Sequence, residues 1–197
     1  MKSSSTLKLY LSLQQNNIKL FDYQLLKKLS GIKNNNSLYK FASRMQEAGL
    51  IKSLNKAGKF ALTDALINEF EIANFLYEPS YISLESALSH YGILSQFVYT
   101  ITSLSTKQTR KLVLDGKEYS YSSINKDLFW GYTKSNNYLI ALPEKALLDS
   151  LYFVSKGIIN LDINNLDLSD IDLKKLQLFL RKFDNNAVEH LFNKLKI

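Results

Sequence analysis

The chain has 197 residues, no cysteine, 46% hydrophobic and 12% aromatic residues, and a net charge of +7. This composition excludes a disulfide frame, a thiolate metal site and a disordered tail. The charge is uneven: residues 1–68 hold eleven Lys and Arg against three acids, a net of +8, while residues 69–197 hold fourteen against fifteen, a net of −1.

That break divides a chain long enough for two small domains. A basic head on a near-neutral body predicts a polyanion partner for the head; a lysine-rich solvated surface is the plainer alternative. No run of about 18 apolar residues occurs, so no membrane span is expected. The run Leu7–Leu13 is broken by Lys8 and Ser12 and has no small-residue cleavage site. The expectation is therefore no signal peptide and a soluble, cytoplasmic protein.

In chain order, the spacing of Leu7, Tyr10 and Leu11 predicts a helix over 6–15, broken by Asn16 and Asn17. Asp22 is a candidate N-cap for a helix over 23–29 that buries Leu25, Leu26 and Leu29 and ends at Gly31. Asn34 to Ser37 offers a fresh cap. Over 37–48, Leu38, Phe41, Ala42 and Met45 fall at i, i+3, i+4 and i+7 and make a buried stripe. Tyr39, Lys40, Ser43, Arg44 and Glu47 occupy the remaining positions. Strands over 50–54 and 59–63 flank a hairpin tip at Asn55-Lys56-Ala57-Gly58.

Three helices, the last one basic, followed by a basic hairpin describe a winged helix-turn-helix. A helix fits the major groove and offers short polar and Arg side chains to base edges. The candidate DNA-binding residues are Ser37, Tyr39, Lys40, Ser43, Arg44, Lys52, Lys56 and Lys59. Arg44 is the candidate base reader, because its fork matches guanine O6 and N7. The wing lysines would reach phosphates.

Beyond the head, residues 66–77 are apolar at helical spacing and carry Glu69 and Glu71, which predicts a linking helix stopped by Pro79. Ser83 is placed as the cap of a helix over 84–91. Residues 97–101 are read as a strand and 103–109 as a polar loop. Strands over 111–114 and 118–122 flank Asp115-Gly116, a strong hairpin signal. A second pair, 128–132 and 138–142, flanks Ser135-Asn136-Asn137. Pro143 suits the first position of a helix over 143–155. An acidic, Asn-rich stretch over 162–172 precedes two final helices, 172–183 and 185–195.

Four runs in this second module resemble the AbiEi antitoxin family. They are Tyr81-Ile82-Ser83-Leu84-Glu85-Ser86-Ala87-Leu88 with Tyr91-Gly92, and Tyr99-Thr100-Ile101-Thr102-Ser103 continuing into Thr106-Lys107-Gln108-Thr109-Arg110-Lys111. Phe129-Trp130-Gly131-Tyr132 and Ala141-Leu142-Pro143-Glu144-Lys145-Ala146-Leu147-Leu148-Asp149 follow. The resemblance spans residues 80–152, and the family also has an N-terminal winged helix. It implies a protein of a type IV toxin–antitoxin pair, of the abortive-infection kind that defends against phage. Its first domain would repress its own operon by binding inverted repeats in double-stranded DNA. Its second would counter a nucleotidyltransferase-like toxin, with no stable complex required.

Little points to catalysis. The two histidines, His90 and His190, are a hundred residues apart, the glycines do not cluster, and no metal or cofactor is expected. His90 is expected to pack beside Tyr91. Glu144 and Asp149 lie five apart and share no helix face, which suits a helix start and a surface or structural anchor. Lys107, Arg110 and Lys111 form a basic patch with two readings, a solvated loop or an antitoxin-activity patch contacting nucleotide or nucleic acid. Asp149, Lys145 and Tyr132 would join that loop if the helix packs on the sheet. Trp130, Tyr119, Tyr121 and Tyr132 are expected to pack across strands.

The expected fold is α+β. It consists of a winged helix-turn-helix (1–68), a linking helix (69–80) and a mixed α+β antitoxin domain (81–197) with antiparallel strands and C-terminal helices. Two alternatives stand beside a DNA-binding autorepressor and antitoxin. One is a catalytic antitoxin that modifies the toxin or its substrate; the other is a transcription factor whose second domain binds a ligand.

Overall fold

The computed structural model describes residues 3–55 and 57–195, and the side chains of Ser3 and Ser4 also lie outside the described part. The fold is mixed α+β and divides into two compact units, Met1–Asn68 and Glu69–Ile197.

The first unit runs α1 (Ser3–Gln15), β1 (Leu20–Asp22), α2 (Tyr23–Ser30), α3 (Asn35–Glu47), β2 (Ile51–Asn55) and β3 (Lys59–Leu62). Local chemistry sets these boundaries. The Asp22 carboxylate accepts from the Leu25 N–H at 2.8 Å and starts α2. Gly31, at φ 70°, closes it through a left-handed cap. Asn34 caps α3 by accepting from the Ser37 N–H at 3.0 Å, so this helix begins two residues before the predicted start. Leu38, Phe41, Ala42 and Met45 are all buried in one core with Leu9, Leu13, Phe21, Leu26, Ile51 and Phe60. Burying each large side chain there contributes roughly 1.5–3 kcal/mol. The strand β1 was not predicted; it pairs antiparallel with β3 and gives the sheet order β1-β3-β2. Three residues are too few to show a period of two.

The second unit contains α4 (Glu69–Leu76), β4 (Ser80–Ile82), α5 (Leu84–His90), β5 (Ile101–Ser105), β6 (Arg110–Leu114) and β7 (Lys117–Ser123). It continues with β8 (Tyr132–Ser135), β9 (Tyr138–Ala141), α6 (Pro143–Ser155), α7 (Leu173–Phe183) and α8 (Asn186–Phe192). Its six strands lie in the order β6-β7-β5-β4-β9-β8. The sheet is mixed, not antiparallel as expected: β4 pairs parallel with β9 and β5 pairs parallel with β7. Hairpins join β6 to β7 and β8 to β9, α5 lies between the antiparallel neighbours β4 and β5, and each parallel pair is separated in the chain by at least one other strand.

The helix read as a linker runs over Glu69–Leu76 and packs within the second unit, where the Tyr121 hydroxyl donates to the Ala73 carbonyl at 2.7 Å. One further expectation is corrected. The strand read over 97–101 lies at Ile101–Ser105, with Phe97 87% exposed. Residues 103–105, read as loop, are buried strand, and the loop is confined to 106–109.

The register separates the sheet's faces. Tyr121, Ser103 and Ile82 are partners across β7, β5 and β4 and point one way, towards α4. Tyr81 points the other way, where α5 and α6 pack on each other.

Candidate functional site

In the first unit the stripe that buries α3 turns its other side outward. Ser37, Lys40, Ser43, Arg44 and Glu47 line one shallow groove on that side. Helical geometry places 37, 40, 44 and 47 in one row, with 43 beside it. Arg44 is held: its Nε donates to the Lys40 carbonyl at 3.2 Å, and its guanidinium lies 5.7 Å from the Phe41 ring centroid. It also edges a second groove that includes Lys8, Ser12 and Ser30, so it stands on the ridge between the two. The Ser43 hydroxyl donates to Glu47 at 2.9 Å.

Tyr39 lies on the other flank of α3. It is half exposed and packs edge-on against Tyr23 at 4.8 Å. Tyr23 also covers the hairpin tip, where Gly58 adopts φ 80° and a Cβ would meet the Tyr23 ring at 2.1 Å. The Asn55 side chain closes that tip by accepting from the Ala57 and Lys59 N–H groups. Lys52 is exposed on β2, and Lys59 sits opposite Asp22 in the sheet. Lys56 lies outside the described residues.

In the second unit the predicted basic patch divides. Arg110 is the strand partner of Tyr121 and Lys111 that of Ser120, so the two point to opposite faces. Lys111 is ion-paired with Glu118 at 3.3 Å. Lys107 and Arg110 stay together: Nζ of one and Cζ of the other lie 5.6 and 5.8 Å from the Tyr77 ring centroid. Tyr132, Lys145 and Asp149 do not join this loop. They belong with Tyr81 on the other side of the sheet.

There they form a cluster that the sequence reading missed. Lys145 and Asp149 are 0% exposed and ion-paired one helical turn apart on α6. The Tyr81 and Ser83 hydroxyls donate to the other Asp149 oxygen at 3.0 and 2.9 Å, and the Lys145 ammonium donates to the Tyr81 oxygen at 3.2 Å. Trp130 and Phe183 place their ring centroids 5.1 Å from the ammonium. Gly131, at φ 74°, makes room for the Lys145 stem; a Cβ there would come within 2.9 Å of Lys145 Cγ.

Burial pushes the Asp149 carboxyl above its ordinary range, against the pull of Lys145, Ser83 and Tyr81. Burial likewise pushes the Lys145 ammonium down, opposed by Asp149. Asp149 is therefore a buried anchor. Glu144 is also buried, ion-paired to Lys175 at 2.9 Å. Ser83 occupies the N-cap position of α5 expected from sequence, but its side chain makes no cap bond, because its hydroxyl serves Asp149. The Thr102 hydroxyl accepts from the Ser86 N–H instead, at 3.0 Å. The spacing of Lys145 and Asp149, i and i+4, was the available signal.

The other aromatic expectations divide. Tyr119 and Tyr121 are buried on β7, and Tyr132 stacks on Tyr81 at 4.9 Å. Trp130 packs instead on α7, 5.1 Å from Phe179. His90 lies edge-on to Tyr91 at 5.0 Å and to Phe70 at 5.7 Å. Among the described residues no group of three His, Cys, Asp or Glu is arranged to hold a metal ion, and no helix is long and apolar enough to cross a membrane. No family model matches the chain, and no curated protein matches it either.

Proposed function

We propose that the first unit is a winged helix-turn-helix that binds duplex DNA through the outer face of α3. The observation that carries this is the union of that face with the charge. An α-β-α-α-β-β unit with sheet order β1-β3-β2 holds a net of +8 and turns Lys40, Arg44 and Ser43 outward. A helix of this kind fits the major groove, and on this reading Lys52 and Lys59 of the hairpin would contact phosphates.

On this reading the chain is the autorepressor and antitoxin of a type IV pair. It binds inverted repeats in its operator and counters a nucleotidyltransferase-like toxin, without needing a stable complex, in the cytoplasm. Support comes from the way the AbiEi-like runs pack on one another. Tyr81 and Ser83 of the first run, Trp130 and Gly131 of the third, and Lys145 and Asp149 of the fourth meet in one buried cluster. Thr102 of the second run bonds the Ser83 carbonyl at 2.7 Å. The four runs thus describe one interior.

Gel shifts of the full chain across a salt series test the DNA-binding reading. With six phosphates contacted, log K falls against log salt with a slope of about −5. Arg44→Ala should cost about 1–3 kcal/mol on the preferred site and less on random DNA. Binding that ignores salt would overturn the assignment.

A further inference from the structure

We infer that Lys107 and Arg110 form a phosphate-binding site in the second unit, taking the terminal phosphate of a free nucleotide or of a nucleic-acid end. Both cations converge on one aromatic ring, that of Tyr77, and the far end of that ring is anchored. The Tyr77 hydroxyl donates to the Gln108 carbonyl at 2.9 Å, and Tyr121 backs the ring at 4.9 Å. The loop between them is fixed from both ends. The Ser105 hydroxyl accepts from the Lys107 N–H at 3.1 Å while donating to the Pro79 carbonyl at 2.7 Å. The Thr109 hydroxyl accepts from the Ser123 N–H at 3.1 Å.

Two like charges 5.6 and 5.8 Å from the same ring centroid repel each other. The negative face of the ring offsets part of that repulsion, and a bound dianion would offset the rest. Neighbouring lysines are neutralised by acids: Lys111 by Glu118 and Lys117 by Glu69. Among the described residues no ion pair engages Lys107 or Arg110. A guanidinium fork beside an ammonium suits a terminal phosphate, which offers several oxygens to both.

The occupant is compact. A nucleic-acid backbone needs a stripe of cations to follow. Here Lys111 points to the other face of the sheet, and the unit as a whole has a net charge of −1. The site lies in the other unit from α3 and stands independently of the DNA-binding reading.

Isothermal titration of the full chain tests this. The probes are inorganic tripolyphosphate, a nucleoside triphosphate, and a dinucleotide with and without a 5′-phosphate. The phosphorylated probes should bind one to one and the bare dinucleotide should not. Lys107→Ala with Arg110→Ala should weaken binding by about tenfold or more, while Lys40→Ala with Arg44→Ala leaves it intact. Lys107→Gln with Arg110→Gln, which keeps the stems over the ring, should match the Ala pair; thermal melts confirm that each variant is folded. Tighter binding of the triphosphate marks a free nucleotide as the ligand, and tighter binding of the phosphorylated dinucleotide marks a nucleic-acid end. The site is refuted if no phosphate binds, if the Lys107 and Arg110 variants bind as the wild type does, or if the α3 variant is the one that loses binding.

Discussion

At the scale of single residues, the buried pair on α6 is the most demanding feature of the chain. A raised carboxyl pKa means that Asp149 favours folding most below its ordinary range, and that this gain is lost as pH rises through the folded value. A lowered ammonium pKa means that Lys145 favours folding above its ordinary range and loses the gain as pH falls through the folded value. At neutral pH both therefore count against stability: burial costs more than their mutual attraction and the Tyr81 and Ser83 bonds return. Removing one partner leaves the other charge buried and alone. Asp149→Ala should cost about 3–5 kcal/mol in urea unfolding. Replacing the whole cluster (Tyr81→Phe, Ser83→Ala, Lys145→Met, Asp149→Leu) should give at least wild-type stability, since packed apolar groups often match or exceed a buried ion pair. A loss under about 1 kcal/mol for Asp149→Ala would show that water reaches the pair. Sequence offered the i, i+4 spacing but not the burial. Ten consecutive residues of α6, Glu144–Phe153, are buried, so no amphipathic stripe marks which polar side chain faces inward.

At the scale of elements, period and caps were legible where an element is long and one-sided. The stripe of α3 and the Asp22 cap are read directly from the chain, because a half-buried helix writes its face into its sequence. Short strands do not: β1 and β4 have three residues each and are specified by their partners across the sheet. The displaced β5 has a related cause. Phe97 and Tyr99 look like strand residues, but they belong to a surface loop that the Tyr99 hydroxyl ties to the Gly116 carbonyl at 2.9 Å. The candidate reading face depends on such a tie. Gly58 at the hairpin tip lies under Tyr23, which in turn supports Tyr39 on α3. Gly58→Ala combines a positive φ with a methyl group inside the ring, and should cost about 2–4 kcal/mol. DNA affinity should fall more steeply than for Gly116→Ala, whose added carbon meets nothing within 4 Å. Equal affinities for the two variants in a gel shift would mean that the tip does not support the reading face.

At the scale of the whole molecule, the charge break and the compact units coincide near residue 68, so one chain carries two electrostatically distinct bodies. On the proposed function, repression belongs to the basic unit and toxin neutralisation to the near-neutral one, which makes the two activities separable by mutation. Lys40 and Arg44 lie on the outer side of α3, away from the core stripe. Replacing Lys40 should cost the fold no more than about 0.5 kcal/mol. Arg44 also loses its contact with Phe41, at about 0.5–1 kcal/mol. Lys40→Ala with Arg44→Ala, folded by circular dichroism, should abolish operator binding and still protect cells from the toxin when expressed from a foreign promoter. Lys107→Ala with Arg110→Ala should do the reverse, keeping operator binding and losing protection. Lys111→Ala, whose side chain is on the other face and held by Glu118, should leave both activities intact. Growth under induced toxin reads protection, and a reporter behind the operator reads repression. If the α3 variant failed to protect, the two bodies would act as one, and the division drawn from charge would be wrong.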